Sequence, residues 1–337
     1  MRVLLLSRHS RKGASSRMRC LQYLPMLAEW DIDVDVKPLY DESYLTDLYQ
    51  FNRRRLKRIL YRYLERISPL LTSRRYNLLW IQQELFPWIP PVAEWLLNHF
   101  NMPFIVDCDD AIFHKYDLHK NKMVRRLLGR KVDLIMKYAS VVIAGNSYIA
   151  SRAINAGAKA VRIVPTVIDL NRYPAARLKK NALLTIGWIG SPATYEYFKA
   201  VAPILIDLQK RLPVRVVVVG AANPGQNDRL PFTFYPWSED TEVESVKSFD
   251  LGIMPLPNTP WAKGKCGYKL IQYMACGLPV VASKVGANID IVEPGKNGFL
   301  VSTPQEWAGA IERIVTDDKL RKRMGEHGRR RVEQFYN

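Results

Sequence analysis

Histidine and cysteine are scarce in this 337-residue chain, which has five scattered His and four Cys: Cys20, Cys108, Cys266 and Cys276. No C-x-x-C spacing occurs, so neither a zinc site nor a redox pair is expected. The thiols fit a reducing cytosol better than a disulfide framework. No apolar run approaches the roughly 20 residues that span a bilayer. The opening MRVLLLSRHS breaks off at Ser7 and Arg8, short of a signal-peptide core. Internal repeats and low-complexity tracts are also missing. Acidic residues are in deficit, 32 Asp and Glu against 50 Lys and Arg, for a formal net charge of +18. That excess favours phosphates, acidic polymers or an anionic membrane surface as partners and says nothing about the fold. No nucleic-acid motif of specific spacing accompanies it, so no specific nucleic acid is expected as a partner.

What is present is an alternation. Apolar runs that end in Gly, Ser, Asp or Pro (VLLLS from residue 3, DVDVKPL from 33, NLLWIQ from 77, PFIVDCDD from 103, SVVIAGNS from 140, VRIVPTVID from 161) are separated by amphipathic stretches. The pattern restarts with ALLTIGWIGS at 182, VRVVVVGAA at 214, DLGIMPL at 250, LPVVASKVG at 278 and GFLVS at 298. This is the rhythm of an α/β protein with parallel sheets. It predicts two doubly wound, Rossmann-like domains, residues 1–172 and 173–337, joined near Leu170 to Lys180.

The segment GKCGYKLIQYMACGLPVVAS, Gly264 to Ser283, reads as a glycine-containing loop entering a helix of about ten residues, then a buried strand. A helix N-terminus offers unpaired N–H groups and partial positive charge to an anion. Lys265 in the loop and Lys269 one turn on are expected to face the same anion. Gln272, on that face, offers a donor and an acceptor to a hydroxyl pair. The arrangement suits a nucleotide diphosphate with its ribose, while a loop lysine by itself is more often a solvated charge. Cys276 reads as a small apolar residue at the helix end, closed by Gly277.

With SKVGANIDIVEPGKNGFLV following it, the segment resembles the C-terminal signature of GT-B glycosyltransferases, in particular the retaining enzymes of glycosyltransferase family 4. The resemblance implies two Rossmann-like domains facing across a cleft, the N-terminal one holding an acceptor and the C-terminal one a nucleotide diphosphate sugar. It implies transfer of a hexose to a hydroxyl of a lipid-linked or polysaccharide acceptor in cell-surface glycan synthesis, with retention of configuration. No metal or other cofactor is implied, because lysines take the ion's task. The family's two Glu, with seven residues between them, correspond here to Gly264 and Gln272, and Lys269 matches a variant with Lys three residues before the second. The usual Arg and Lys after the first strand of the C-terminal domain are absent from GWIGSPATYEYF. Donor binding is therefore assigned to Gly190, Ser191, Thr194, Lys265, Cys266, Gly267, Lys269 and Gln272. For Gly190 and Ser191 an ordinary strand-to-helix turn remains the alternative.

In the N-terminal half, Gly13 in SRHSRKGASSRMRC supplies a turn, and Ser15 or Ser16 is expected to cap the next helix. The resemblance lays this loop over the diphosphate and acceptor, with Arg17 and Arg19 either helping there or merely exposed. Asp107, Asp109 and Asp110 end one strand, where ligands bind in open α/β sheets. Asp109 falls at the family's catalytic His and Asp110 at the Asp beside it. Either carboxylate could hold an acceptor hydroxyl, take its proton or steady positive charge, or else cap the strand in a salt bridge. His114 reads as a bystander, Asn146 and Ser147 as weaker candidates. The aromatics of FTFYPW, at 232–237, fall near the base but are better read as packing, and Asp290 matches an acidic family position.

Two basic helices complete the reading. In NRRRLKRILYRYLERI, Leu56, Ile59, Leu60, Tyr63 and Ile67 follow helical spacing, with Arg55, Arg58, Arg62 and Arg66 on the other face. HKNKMVRRLLGRKVDLIMKYA follows at 119–139. Both are either solvated faces or a dock for anionic lipid, which makes the expected protein cytoplasmic and peripheral on the inner face of the membrane. Two alternatives stay open: a nucleotide-sugar epimerase of the same fold, or a non-catalytic polyanion-binding protein.

Overall fold

The computed structural model describes residues 1–51, 56–174, 183–221 and 230–337. Packing divides the chain into two units, Met1–Thr166 with Lys263–Cys266, and Val167–Ala262 with Gly267–Asn337. The sequence had placed the join between 172 and 173, in a stretch that from 175 to 182 lies outside the described residues.

The first unit holds β1 (Arg2–Leu6), β2 (Asp33–Val36), β3 (Leu78–Gln82), β4 (Phe104–Cys108), β5 (Val141–Ala144) and β6 (Val161–Ile163). They form one sheet in the order β2-β1-β3-β4-β5-β6, all neighbours parallel. The second unit holds β7 (Leu184–Ile189), β8 (Val214–Val219), β9 (Thr233–Tyr235), β10 (Leu251–Met254), β11 (Val280–Ser283) and β12 (Gly298–Val301). Its order is β12-β11-β10-β7-β8-β9, again parallel throughout. Only this second sheet has the dinucleotide-fold order, with two strands wound one way from its first and three the other. The first sheet places one strand on one side of β1 and four on the other, as in flavodoxin-like folds. Every apolar run noted above became a strand. The one strand with no such run is β9, a short edge with mostly exposed side chains.

Period-two alternation distributes the core of the second unit. Leu184, Ile186 and Trp188 of β7 and Val214, Val216 and Val218 of β8 pack on one face against Leu205, Leu208, Ile311 and Ile314. Ile189, Val217 and Val219 point the other way, toward Leu270, Tyr273 and Met274. Both faces are covered by helices, so these strands read as unbroken apolar runs. Gly187 of β7 lies against the ring of Phe249, where an added Cβ would come within 2.0 Å of the ring carbons.

The helix Leu56–Leu71 departs from expectation. Leu56 (77% exposed), Leu60 (63%), Leu64 (59%), Ile67 (41%) and Leu71 (80%) form a solvent-facing stripe. The arginines turn inward instead. Arg58 Nη2 donates to Asp41 Oδ2 at 2.7 Å, Arg62 also pairs with Asp41, and buried Arg66 donates to the Ser7 carbonyl at 2.6 Å. Tyr63 remains on the inner side and donates to the Pro87 carbonyl at 2.8 Å. Asp41 explains the reversal: it also accepts from Ser43 Oγ and the Tyr44 N–H, and these bonds hold its carboxyl well below the usual range despite the opposing effect of burial. Arg55 lies outside the described residues. In the second basic segment, Lys131 is buried on Glu84 at 2.7 Å while Met123 and Leu127 are exposed. Among the described residues no helix is long and apolar enough to cross a membrane.

Gly187→Ala should lose about 1–3 kcal/mol of stability through overpacking against Phe249. Gly309→Ala, in the helix Pro304–Thr316 with nothing within 4 Å of its Cβ site, should be neutral or gain up to ~1 kcal/mol. Urea unfolding of both variants checks this, and equal effects would refute the packing argument.

Candidate functional site

In an open parallel sheet, ligands collect where the strand order reverses, beyond the C-terminal strand ends. In the first sheet this point lies between β1 and β3. The loop after β1 is built inward. Gly13 is the N-cap of the helix Ala14–Arg19, with φ −75°, so space and not left-handed geometry demands glycine: a Cβ would sit 2.4 Å from His9 Cβ. Ser16 is therefore no cap. It lies inside the helix, its Oγ accepting from the His9 N–H at 3.0 Å and donating to Gln82 Oε1 at 2.7 Å. Arg17 is buried and directed back toward the Arg11 carbonyl at 3.4 Å. Burial, assisted by Arg8, lowers the His9 imidazole to about 3, so it is neutral.

The three aspartates beyond β4 take three different partners. Arg19, expected to be exposed or on a phosphate, forms a buried two-pronged pair with Asp107, Nε to Oδ1 at 2.9 Å and Nη2 to Oδ2 at 3.2 Å. Its Nη1 reaches the Val164 carbonyl at 2.7 Å. Burial pushes Asp107 up to about 6 against the pull of Arg19, leaving it ionised at neutral pH. Asp109 accepts at Oδ1 from Gln83 Nε2 at 2.9 Å, and Gln83 Oε1 in turn accepts from Arg8 Nη1 at 2.9 Å. Gln83 has φ +67°, a left-handed conformation costly for a side-chain-bearing residue, located at the strand reversal. Asp110 holds Lys265, whose Nζ lies 3.0 and 3.1 Å from its two oxygens. Burial raises the Asp110 carboxyl while Lys265 pulls it down; for Lys265, burial works against the ammonium and Asp110 more than restores it.

Lys265 and Cys266 thus pack with the first unit, whereas Lys269 belongs to the second. The helix starts at Tyr268, which leaves Lys265 in the loop as read and sets Lys269 in the first helical turn. Asn146, the N-cap of the helix Ser147–Asn155, donates through Nδ2 to the Lys265 carbonyl at 3.2 Å. Gly264 is closed in by Ala111, whose backbone N would lie 2.6 Å from a Cβ. His114 is engaged at both ring nitrogens, by Asp117 and by Tyr148, at 2.8 Å each.

In the second sheet the reversal lies between β7 and β10. Gly190 and Ser191 follow β7 and lead into the helix Pro192–Lys199. The Ser191 N–H donates to Thr194 Oγ1 at 3.2 Å, and that hydroxyl donates back to the Ser191 carbonyl at 3.1 Å. Lys269 Nζ lies 3.4 Å from Thr194 Oγ1 and 4.9 Å from the Trp188 ring centroid. The sequence-predicted Gly190, Ser191, Thr194 and Lys269 are thereby brought together: a helix N-terminus, a hydroxyl and an ammonium. Gly267, φ +70°, turns the chain into the Tyr268 helix where a Cβ would meet Ile291 at 2.2 Å. Gln272 is buried and donates from Nε2 to Tyr173 Oη at 2.9 Å. Phe232, Phe234 and Trp237 pack against the core as read, Trp237 also donating to Glu242 at 3.0 Å, whereas Tyr235 is exposed. Asp290 is exposed.

The sequence reading missed Gln83, Arg8, Tyr173 and Glu242. A signal for Gln83 was present, since the apolar run NLLWI ends in the polar triplet Gln82, Gln83, Glu84 at a strand terminus. Glu242 joins Tyr173 across 69 positions of sequence, and no local pattern announces that.

Residues 180–317 match the family described as glycosyl transferases group 1. Among individual proteins, a D-inositol 3-phosphate glycosyltransferase of Corynebacterium jeikeium is 39% identical over 207 residues, 52% of this chain and 48% of that protein. Spore coat protein SA of Bacillus subtilis is 35% identical over 68 residues, 19% of this chain and 18% of its own. The matches thus span about half or less of these relatives' lengths. Among solved structures, sucrose-phosphate synthase from Thermosynechococcus elongatus superposes with TM-score 0.75 at 18% identity, covering 100% of this chain and 95% of that one. Anabaena HepE in complex with UDP-glucose does so with TM-score 0.71 at 19% identity, covering 100% and 96%. The fold is that of the GT-B glycosyltransferases.

Removing one member of the buried Arg19–Asp107 pair strands the other charge. Arg19→Leu should cost about 3–5 kcal/mol, and Arg19→Leu/Asp107→Leu distinctly less. Chemical denaturation of these variants and of Asp107→Leu decides it; a double variant as unstable as the sum of the single changes would show the pair to be uncoupled.

Proposed function

We propose that the chain is a glycosyltransferase that moves a hexose from a nucleotide diphosphate sugar to a hydroxyl of a lipid-linked or polysaccharide acceptor, with retention of configuration, in cell-surface glycan synthesis. The observation that carries this reading is the meeting of the Ser191–Thr194 helix start with the Lys269 ammonium at the strand reversal of the second sheet, within the segment that matches group 1 glycosyl transferases. Oriented N–H groups and an ammonium are what a departing diphosphate requires as its charge develops. HepE, whose fold is shared, was solved with UDP-glucose, which supports a nucleotide sugar as the donor here.

In the transfer, the bond from the anomeric carbon to the diphosphate oxygen breaks and a bond to the acceptor oxygen forms on the same face. The acceptor proton goes to the departing phosphate. Lys269, Thr194 and the N–H groups after Gly190 hold that leaving group, so the chemistry needs no metal. In the first unit Asp109, fixed by Gln83 and Arg8, orients the acceptor hydroxyl or steadies positive charge at the anomeric carbon. Lys265 supplies a further cation, which would release Asp110 when it meets an anion and leave that carboxylate to the acceptor. Gly13 and Arg17 act by shaping the loop, because neither is aimed at solvent.

The protein works at the inner face of a membrane in this reading, through the stripe Leu56, Leu60, Leu64, Ile67 and Leu71. A helix with an exposed apolar face and basic neighbours such as Lys57, Arg74 and Arg75 suits the boundary of an anionic bilayer, the leucines entering the acyl region and the charges meeting headgroups.

A thermal-shift panel of UDP, GDP and their sugars tests the donor site. At about a 100-fold excess over Kd, the cognate nucleotide should raise the Tm by roughly 5–10 °C. Lys269→Ala should weaken binding about tenfold or more. Absence of any stabilisation, or unchanged binding by Lys269→Ala, would refute the assignment. For the membrane, Leu60→Ser/Leu64→Ser should sediment less with vesicles containing phosphatidylglycerol than the parent chain. Equal sedimentation, or a parent chain that dimerises through this stripe and ignores vesicles, would remove that role.

A further inference from the structure

Gln272 presents a chemical problem. A neutral amide has two unlike ends, and a site that must accept hydrogen bonds from a hydroxyl pair works only if the carbonyl end faces the ligand. In the second unit that orientation is settled by a chain of hydrogen bonds. Glu242 is buried, and its Oε1 accepts from Tyr173 Oη at 2.9 Å while its Oε2 accepts from Trp237 Nε1 at 3.0 Å. Arg172 approaches the same carboxylate at 3.7 Å. With its one proton committed to Glu242, the Tyr173 oxygen can only accept, from Gln272 Nε2 at 2.9 Å and more distantly from Tyr268 Oη at 3.5 Å. A flipped amide would set a carbonyl oxygen against an oxygen with no proton left to give. Among the described residues nothing donates to Gln272 Oε1.

We infer that Tyr173 and Glu242 are positioning residues that lock the Gln272 amide with its carbonyl oxygen presented as the acceptor for the ribose hydroxyls of the donor nucleotide. This inference rests on the nucleotide-sugar reading above. The carboxylate that the site lacks at position 272 is supplied one phenol further back, where it polarises the Tyr173 hydroxyl and fixes direction without touching the ligand. Charged hydrogen-bond chains of this kind strengthen each member. The arrangement also accounts for Gln in place of Glu at 272: a carboxylate there would face Glu242 across a single phenol proton, and two like charges would compete for it.

Calorimetric titration tests the relay, with the nucleoside diphosphate (UDP or GDP) that stabilises the chain more and its 2′,3′-dideoxy analogue. The parent chain should prefer the ribose form by about five- to tenfold. Tyr173→Phe should bring the two affinities together by weakening only the ribose form. Gln272→Glu should lose ribose affinity, and Gln272→Glu/Glu242→Gln should regain it, because the single carboxylate has exchanged places with the amide. Equal loss of both ligands in Tyr173→Phe, or no recovery in the double variant, overturns the relay. So does a parent chain that binds both ligands alike, with the donor site left standing. A parent chain that binds neither ligand overturns the donor reading and the relay with it.

Discussion

Parallel pairing is the constraint on which the rest depends. Because the strand pairs of both sheets run the same way, all the strands of a sheet finish on one edge, and each crossover helix begins there. Unsatisfied helix N–H groups, loop residues and polar strand ends are therefore collected together without any special provision. The order of strands then selects a place along that edge. It lies between β1 and β3 in one unit and between β7 and β10 in the other, and the candidate site residues gather at both.

Polar groups at those edges are half out of water, and the structure neutralises them locally. Arg19 is held by Asp107, Lys265 by Asp110, Lys131 by Glu84, and the Gln272 amide by Tyr173, which donates in turn to Glu242. Each pairing resolves a desolvation cost that an isolated charge would impose. Two distinct uses emerge. The Arg19 pair is deeply buried and ties the first helix to β4, which makes it architectural. The Lys265 pair retains about a fifth to a quarter of its side-chain exposure, which leaves it within reach of solvent.

The net charge of +18 does not lie where composition alone would put it. In the helix Leu56–Leu71 the arginines are drawn inward by one carboxylate, Asp41, and the leucines are left outside. Helical periodicity correctly separates two faces but has no means of telling which is inner, because that is decided by a partner 17 and 21 residues away. The proposed membrane contact accordingly rests on an apolar stripe with a basic fringe instead of a basic face.

The amino-acid sequence by itself determined the α/β class, the restart into a second sheet and nearly every strand, all of which follow from local period and strand-end composition. That Gly190, Ser191, Thr194 and Lys269 belong to one site was implied only by the family resemblance. Tertiary structure alone decided that the first sheet is wound differently from the second, that Lys265 joins Asp110, that Gln83 fixes Asp109, and that Tyr173 and Glu242 stand behind Gln272. These are contacts between strand ends far apart in the chain. Period and propensity act over a few residues, while the partner of a buried charge is chosen by whichever opposite group the fold brings within 3 Å.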